Sequence, residues 1–474
     1  MLKIFQENIL DSFNHSDFDR PETIAAIATP RGEGGLSVIR LSGPDSLAIA
    51  RALFFLAKKG KDIIPQTAYF GEVREDNGSC IDEGILTWFK APKSYTAEDV
   101  VEVCVHGGQH VSMKVLQRCL EEGARMAEPG EFTRRAFING RIDLAQAEAV
   151  IDVIHSASDQ ALKTATAQLK GRLSDKLSAL YDEVLAVLSQ LSAAIDFPED
   201  DLKFVQQKEL LRRIESIQSG IDALLETYRQ GKIHREGARV LLVGKPNVGK
   251  SCLMNALLDE ERAIVTPHSG TTRDLLEERI RIRDIHINLI DSAGLRENPE
   301  AIEEIGIERT RKALEESDLA ILLFDQSRPL DENDRLLISA VSDKDRIAVL
   351  NKCDLEETID RWEIKDLLPK TVMISISATD HLGLADLKDA IYERVGRSGG
   401  KGESIVISRE RHRFALVKTR EAMERAKESI QNQLSEEFIA VDVQMAMDSL
   451  GGIVGKNFDE DLLDQIFGEF CIGK

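Results

Sequence analysis

Apolar and polar positions along this chain fall into three textures. From about Thr23 to Gly140, short β-type runs alternate with helical ones. Strands are predicted at Thr23-Ile24-Ala25-Ala26-Ile27-Ala28, Leu36-Ser37-Val38-Ile39-Arg40, Gly84-Ile85-Leu86-Thr87-Trp88-Phe89 and Val100-Val101-Glu102-Val103-Cys104-Val105. Turn signals such as Arg31-Gly32-Glu33-Gly34-Gly35 and Asp76-Asn77-Gly78 separate them. Helical periodicity covers Asp45 to Leu56 and Gln109 to Glu122, so an α+β domain is expected over 23–140, after an extension at 1–22. From 141 to 235 glycine and proline nearly vanish. Leu177, Leu180, Val184, Val187, Leu188 and Leu191 recur at helical intervals and predict long packed helices. Asp196-Phe197-Pro198-Glu199-Asp200-Asp201 should break or kink them, because proline cannot continue a helix.

From 236 to 398 strands and helices alternate. Parallel strands are expected at Arg239–Val243, Ile285–Ile290, Leu319–Phe324, Arg346–Leu350 and Val372–Ile376, joined by right-handed crossovers. The glycines of Gly396 to Glu403 mark a linker, and helical texture returns over 399–474. The α/β domain thus reads as inserted between two parts of one all-α domain. There is no internal repeat and no low-complexity tract.

Composition narrows the setting. A chain of 474 residues suits about three domains, and 42% hydrophobic with 30% charged residues is ordinary for a soluble globular protein. No apolar run approaches the roughly 18 residues of a membrane span, and Met1 to Arg20 lacks the apolar core of a signal peptide. Cys80, Cys104, Cys119, Cys252, Cys353 and Cys471 form no C-x-x-C pair, which predicts a reducing cytoplasm and argues against zinc or a disulfide framework. A net charge of −21 argues against holding nucleic acid by bulk electrostatics. Arg409, Arg411, Arg413, Lys418, Arg420, Arg425 and Lys427 form a local basic stretch, but Glu410, Glu421, Glu424 and Glu428 interleave with them as on a solvated helix face.

The chemistry concentrates in Gly244-Lys245-Pro246-Asn247-Val248-Gly249-Lys250-Ser251, set between the apolar run Val240–Val243 and a helical pattern that begins at Cys252. A strand, a glycine-rich loop ending in Lys-Ser and a helix form a P-loop. Backbone N–H groups can curl around phosphate oxygens, Lys250 can reach the β and γ phosphates, and the Ser251 hydroxyl can ligate Mg²⁺. Asn351-Lys352-Cys353-Asp354 follows a strand. Asp354 there can accept from guanine N1–H and the 2-amino group; adenine would leave that carboxylate unpaired. In Ser377-Ala378-Thr379 a backbone N–H can meet guanine O6. Asp291-Ser292-Ala293-Gly294 closes another strand, where Asp291 can hold Mg²⁺ through water and the Gly294 N–H can touch the γ phosphate. Upstream, Gly270-Thr271-Thr272-Arg273-Asp274 offers Thr272 as a second Mg²⁺ ligand. The order and spacing point to GTP.

These motifs make the α/β domain similar to the TrmE–Era–EngA-type GTPases. From about Thr23 to Lys474 the chain resembles the MnmE (TrmE) family, tRNA modification GTPases acting at wobble uridine 34. Outside the GTPase domain the resemblance rests on Ala28-Thr29-Pro30-Arg31-Gly32-Glu33-Gly34-Gly35, Val105-His106-Gly107-Gly108, Glu128 to Phe137, Asp143 to Ala149, and Phe470-Cys471-Ile472-Gly473-Lys474. Leu295 stands where Ras-like enzymes place a water-orienting glutamine, and it can neither donate nor accept. The resemblance implies two substitutes. One is K⁺ ligated by Asn247, Thr266, His268 through its carbonyl, and Thr271, in a loop whose Pro267, Ser269 and Gly270 also line the nucleotide with Val248 and Cys252. The other is a catalytic glutamate at Glu303, which on the residues alone reads as an exposed helix-face carboxylate.

The resemblance further implies that the N-terminal domain is of the folate-binding type and dimerises. It would hold 5-formyl- or methylene-tetrahydrofolate at Arg40, Glu102, Arg141 and Lys474; on residues alone these are surface or salt-bridged charges. Arg141 stands where the family often has lysine. Cys471 reads either as a nucleophilic or redox residue or as a small buried one. The implied activity is a K⁺-stimulated GTPase. Within a homodimer, and with the FAD- and NADH-using partner MnmG, it installs aminomethyl or carboxymethylaminomethyl groups at C5 of tRNA wobble uridine, the helical domain contacting tRNA. The competing reading is an Era-like switch in ribosome assembly that binds RNA and adds no group to it. That reading accounts for neither the folate-type domain nor the terminal Cys-Ile-Gly-Lys.

Overall fold

A computed structural model of the protein describes residues 22–30, 32–58, 62–196, 207–259, 277–291, 312–342, 344–396 and 405–474. It divides into two compact units, one of residues up to Ile151 together with Val454–Lys474, the other Asp152–Ile453.

The first unit is built on a seven-stranded sheet. Its strands are β1 (Ile24–Ile27), β2 (Gly34–Ser42), β3 (Phe54–Leu56), β4 (Ala68–Arg74), β5 (Cys80–Phe89), β6 (Val100–Gly107) and β7 (Arg125–Met126), in the order β3-β4-β5-β6-β2-β1-β7. Ile39, Leu41, Val101, Val103 and Val105 alternate inward and pack with the helices Ser46–Leu53 and Gln109–Glu121. The helix expected to run to Leu56 stops at Leu53, and Phe54 and Phe55 instead pair antiparallel with Val73 and Glu72 of β4. Sheet pairing overrides helical periodicity there. Strand β4 escaped the pattern because Gly71 interrupts it. That glycine is required by packing: a Cβ would strike Phe54 Cε1 at 2.5 Å.

Val454–Lys474 pack within this unit. The helix Glu460–Gly468 packs on the helix Glu131–Ile138. Arg134 Nη1 lies 3.1 Å from Asp464 Oδ1, and Phe137 meets Phe467 with ring centroids 6.4 Å apart. Ile472 forms an antiparallel bridge with Pro129. Gly473 has φ +95, and a Cβ there would come within 3.0 Å of Ala28 Cα.

The second unit holds a six-stranded sheet with the order β13-β12-β11-β8-β10-β9. Its strands are β8 (Ala238–Gly244), β9 (Glu277–Ile282), β10 (Ile285–Asp291), β11 (Leu319–Asp325), β12 (Arg346–Asn351) and β13 (Val372–Ser375). All five expected parallel strands are present, and β9 adds an antiparallel edge. Every residue of β11 is buried, as a parallel strand covered on both faces requires. The order reverses on either side of β8, with β10 to one side and β11 to the other. This creates a crevice outside the carboxyl end of β8, where ligands of such sheets sit.

The helices Arg172–Asp196, Gln207–Leu225 and Glu410–Gln431 pack together, with Leu177, Leu180, Ile214, Ile217, Leu416 and Met423 buried. Residues 197–206, including the proline expected to break the helix, lie outside the described residues. The basic stretch behaves as a paired helix face. Arg413 pairs with Glu410, Arg420 with Asp222, Arg425 with Asp442 and Lys427 with Glu215. Among the described residues no helix is long and apolar enough to cross a membrane.

Candidate functional site

The P-loop leaves β8 at Gly244 and enters the helix Lys250–Asp259. Asn247 (φ +64) and Gly249 (φ +99) make the left-handed turn. A Cβ on Gly244 would come 2.7 Å from the Leu323 carbonyl oxygen, and one on Gly249 would run into Asn351 Nδ2. Lys250 is buried, and its Nζ donates to the carbonyls of Gly244 and Lys245, each at 2.8 Å. The lysine is therefore aligned by its own loop. The N–H groups of the first helical turn lack intrahelical acceptors, so this end suits an anion.

Two hard oxygen donors meet beside it. The Ser251 hydroxyl donates to Asp291 Oδ2 at 3.4 Å, and Asp291, the buried last residue of β10, sits at the same sheet edge. A hydroxyl and a carboxylate oxygen fit Mg²⁺.

Asn351 ties the site together. Its Nδ2 donates to the Val248 carbonyl at 2.8 Å, and its Oδ1 accepts from the Ala378 N–H at 3.1 Å. One buried side chain thus joins the P-loop, the end of β12 and the Ser377-Ala378-Thr379 loop. Within that loop the Ser377 and Thr379 hydroxyls lie 3.1 Å apart, and the Asp380 N–H donates to Ser377 Oγ at 3.2 Å. Asp354 is exposed, two residues beyond Lys352, whose backbone is left-handed at φ +66. Val248 is buried; Cys252 is exposed on the first helical turn. Glu303, Thr266, Pro267, His268, Ser269, Gly270, Thr271, Thr272, Ser292, Ala293 and Gly294 lie outside the described residues.

Sequence reasoning missed the acidic partners of two site lysines. Lys352 Nζ lies 2.6 Å from Asp325 Oδ2, and Lys245 Nζ lies 2.7 Å from Asp331 Oδ2 and 2.6 Å from Asp334 Oδ2. Burial works against the Lys245 charge, but both carboxylates outweigh it and raise its pKa.

The first unit gathers the other predicted set. Arg40 on β2 faces Glu102 on β6 in register, and Arg40 Nη2 lies 2.9 Å from Glu102 Oε1. Arg40 Nη1 donates to the Gly473 carbonyl at 3.3 Å, which brings the chain end to the pair. Lys474 is half-buried. Burial, helped by the positive charge of Arg40 and opposed by Glu102 and Cys471, lowers its pKa. Arg141 Nη1 donates to the Tyr95 carbonyl at 2.8 Å. The guanidinium carbons of Arg40 and Arg141 lie 5.3 and 5.2 Å from the Tyr95 ring centroid, and Phe132 stands 5.6 Å from Arg40. Tyr95 and Phe132 are the members that sequence reasoning overlooked. Three cations, one carboxylate and the partly exposed Tyr95 ring fit an anionic ligand that carries a planar heterocycle, while the fully buried Phe132 backs Arg40 from the core. Cys471 is exposed, so it is not the small buried residue that was one of its two readings.

The second unit's P-loop, its guanine-type Asn351-Lys352-Cys353-Asp354 motif and its parallel sheet define a GTPase of the P-loop class. Residues 23–141 match the family described as GTP-binding protein TrmE N-terminus, and residues 144–471 match the MnmE helical domain family. The chain is 42% identical over 455 residues to a tRNA modification GTPase MnmE of Natranaerobius thermophilus, spanning 96% of this chain and 99% of that one. It is 43% identical over 457 residues to that of Enterococcus faecalis, spanning 96% and 98%. Aquifex aeolicus Era bound to GDP·AlF4⁻ is a solved structure 26% identical, with 39% of this chain and 66% of that one covered and a TM-score of 0.26. The chain belongs to the MnmE family of tRNA modification GTPases.

Proposed function

We propose that this GTPase is K⁺-stimulated and works in the cytoplasm as a homodimer with the FAD-dependent partner MnmG, modifying C5 of wobble uridine in tRNA to aminomethyl or carboxymethylaminomethyl forms. The observation that carries the nucleotide part is Asn351, which binds the phosphate loop and the Ser377–Thr379 loop at once and so sets base and phosphate ends in one frame. Preorganisation of this kind lowers the ordering cost of binding. Lys250 and the first helical turn hold the β and γ phosphates. Asp354 accepts from guanine N1–H and the 2-amino group. Ser251 and Thr272 hold Mg²⁺, which supplies charge neutralisation across the phosphates. Glu303 orients water, and Asn247, Thr266, His268 and Thr271 hold K⁺. Hydrolysis then acts as conformational control between G domains, not as phosphoryl transfer to tRNA.

In the first unit, Arg40, Glu102, Arg141 and Lys474 hold a reduced folate that supplies the one-carbon unit. Glu102 suits the amino-pterin edge, and the cations suit the glutamyl tail. Cys471, exposed three residues from Lys474, acts at this end as a reactive thiol.

Mass spectrometry of wobble uridine in tRNA from cells lacking the protein tests the whole. Loss of the C5 substituent is expected, and unchanged nucleosides would overturn it. GTPase rates in K⁺ and Na⁺ test the monovalent cation, where equal rates would remove it. Glu303→Ala should keep GTP affinity and lose turnover; normal turnover would exclude that glutamate.

A further inference from the structure

The stretch that follows β11 has no role in the nucleotide reading above, yet it grips both accessory lysines of the site. Asp325, the last residue of β11, has a side chain only 8% exposed. Its Oδ1 accepts from the Ser327 N–H at 3.0 Å and from the Ser327 hydroxyl at 2.7 Å. The turn thereby orients the carboxylate, and Oδ2 is presented to Lys352 Nζ at 2.6 Å. Arg328 stands farther off at 3.8 Å, on a side chain 75% exposed. Burial disfavours the Asp325 charge, but the hydrogen bonds from Lys352 and Ser327 prevail and hold its carboxyl below the ordinary aspartate range.

The backbone of the same turn is fixed to the loop that carries Lys352. The Gln326 N–H donates to the Asn351 carbonyl at 2.9 Å, and the Gln326 carbonyl accepts from Thr358 and Ile359 at 3.0 and 3.2 Å. Farther along, Asp331 and Asp334 cap the helix Glu332–Ala340 through a reciprocal capping box, and both carboxylates also reach Lys245 of the P-loop. A single segment therefore touches the base-recognition loop at one end and the phosphate loop at the other.

We propose that the turn from Asp325 to Asp334 is a positioning element of the guanine-nucleotide site. Asp325 sets Lys352 beside the base, while Asp331 and Asp334 set Lys245 at the start of the phosphate loop. A free lysine stem loses much of its rotamer freedom when a ligand immobilises it; one already held by a fixed carboxylate loses little. The left-handed backbone of Lys352 needs the same support, since a non-glycine residue persists there only when its surroundings over-determine it.

The inference rests on the assignment of this sheet edge as the guanine-nucleotide site, and fluorescent GDP titrated into the full-length protein separates the two. If the parent fails to bind GDP, the site assignment itself falls. If it binds, Asp325→Asn is expected to weaken GDP and GTP alike by about tenfold, the order a charge-assisted hydrogen bond carries. KM for GTP should rise while kcat stays within about twofold, since the contact is uniform between ground and transition states. The discriminating readout is a double-mutant cycle. Asp325→Asn added to Lys352→Met should cost almost nothing more, because the carboxylate acts through that lysine. Ser327→Ala, which keeps the charge but removes the orienting hydroxyl, is the milder probe if Asp325→Asn does not fold. It should weaken GDP binding in the same direction and also lose its effect once Lys352 is Met. Additive losses in either cycle, or parent-like affinity in the single variants, would overturn the proposal.

Discussion

Replacing Asn351 by Ala tests the geometry of the nucleotide site most directly. The side chain is 2% exposed and makes two hydrogen bonds, from Nδ2 to the Val248 carbonyl and from the Ala378 N–H to Oδ1. Truncation leaves both of those backbone groups buried without their partner. An unsatisfied buried polar group costs about 1–3 kcal/mol, so the arrangement that holds the two loops together loses roughly 2–6 kcal/mol. Freeing the Asn rotamer returns at most about 1 kcal/mol, too little to offset this. The net loss is then about 1–5 kcal/mol, so GDP affinity should fall by at least about fivefold, since every 1.4 kcal/mol is tenfold. Asn351→Asp should be worse than Ala. It is isosteric, but it turns an oxygen toward the Val248 carbonyl oxygen where a donor stood. Fluorescent-GDP titration gives the affinity order, and hydrogen exchange at the Ala378 amide gives a local readout that does not depend on cooperative unfolding of a multidomain chain. An Asp variant that binds as well as the Ala variant, or an Ala378 amide that stays as protected as in the parent, would refute the reasoning.

Gly249→Ala should abolish measurable GTP binding, because φ +99 strains any L residue and the new Cβ collides with Asn351 Nδ2; a filter-binding assay decides it. In the first unit, Glu131 accepts from Arg125 at 2.6 Å, Arg135 at 2.9 Å and the Glu128 N–H at 2.9 Å. Burial opposes its charge, but these donors prevail and lower its pKa below 4.5. A depressed folded value means the stabilisation is present above the unfolded pKa and fades as pH falls through the folded one. Glu131→Gln should therefore lower the urea midpoint at neutral pH, with the difference from the parent shrinking only below 4.5. Gly473→Val should undock the terminal Ile472-Gly473-Lys474, because its Cβ would press on Ala28 and the Ile27 carbonyl; faster trimming by carboxypeptidase is the expected result.

Much of the architecture was legible because it depends on patterns that repeat. The central strands β8, β11 and β12 announced themselves as continuous apolar runs, and burial on both faces is the reason they read that way, whereas β10 carries His286 and Asn288 and the edge strand β13 is only partly buried. The edge strand β9, Glu-Glu-Arg-Ile-Arg-Ile, looked like a charged connection. Only its pairing with β10 turns Ile280 and Ile282 inward. Helix-to-strand conversion at Phe54 was invisible for a related reason: it depends on pairing with β4, whose own pattern is broken by a glycine that close packing requires.

The site divides along the same line. Residues whose chemistry is written in local spacing, such as Lys250, Ser251 and Asp354, could be named from the chain alone. Residues that act by holding others could not. Arg40 and Arg141 flank Tyr95 across long sequence separations, and nothing in the neighbourhood of Tyr95 marks it as a shared ring. Asp325 is the sharper case, because a usable signal existed. It ends a strand at the carboxyl edge of the sheet, as Asp291 and Asn351 do. The rule that ligands gather at those ends applied equally to all three. What sets Asp325 apart is the lack of a motif around it, so no local spacing singles it out. Strand-end polar residues in an open parallel sheet therefore merit the same weight whether or not a motif surrounds them, and the Asp325–Lys352 cycle measures how much that weight is in this chain.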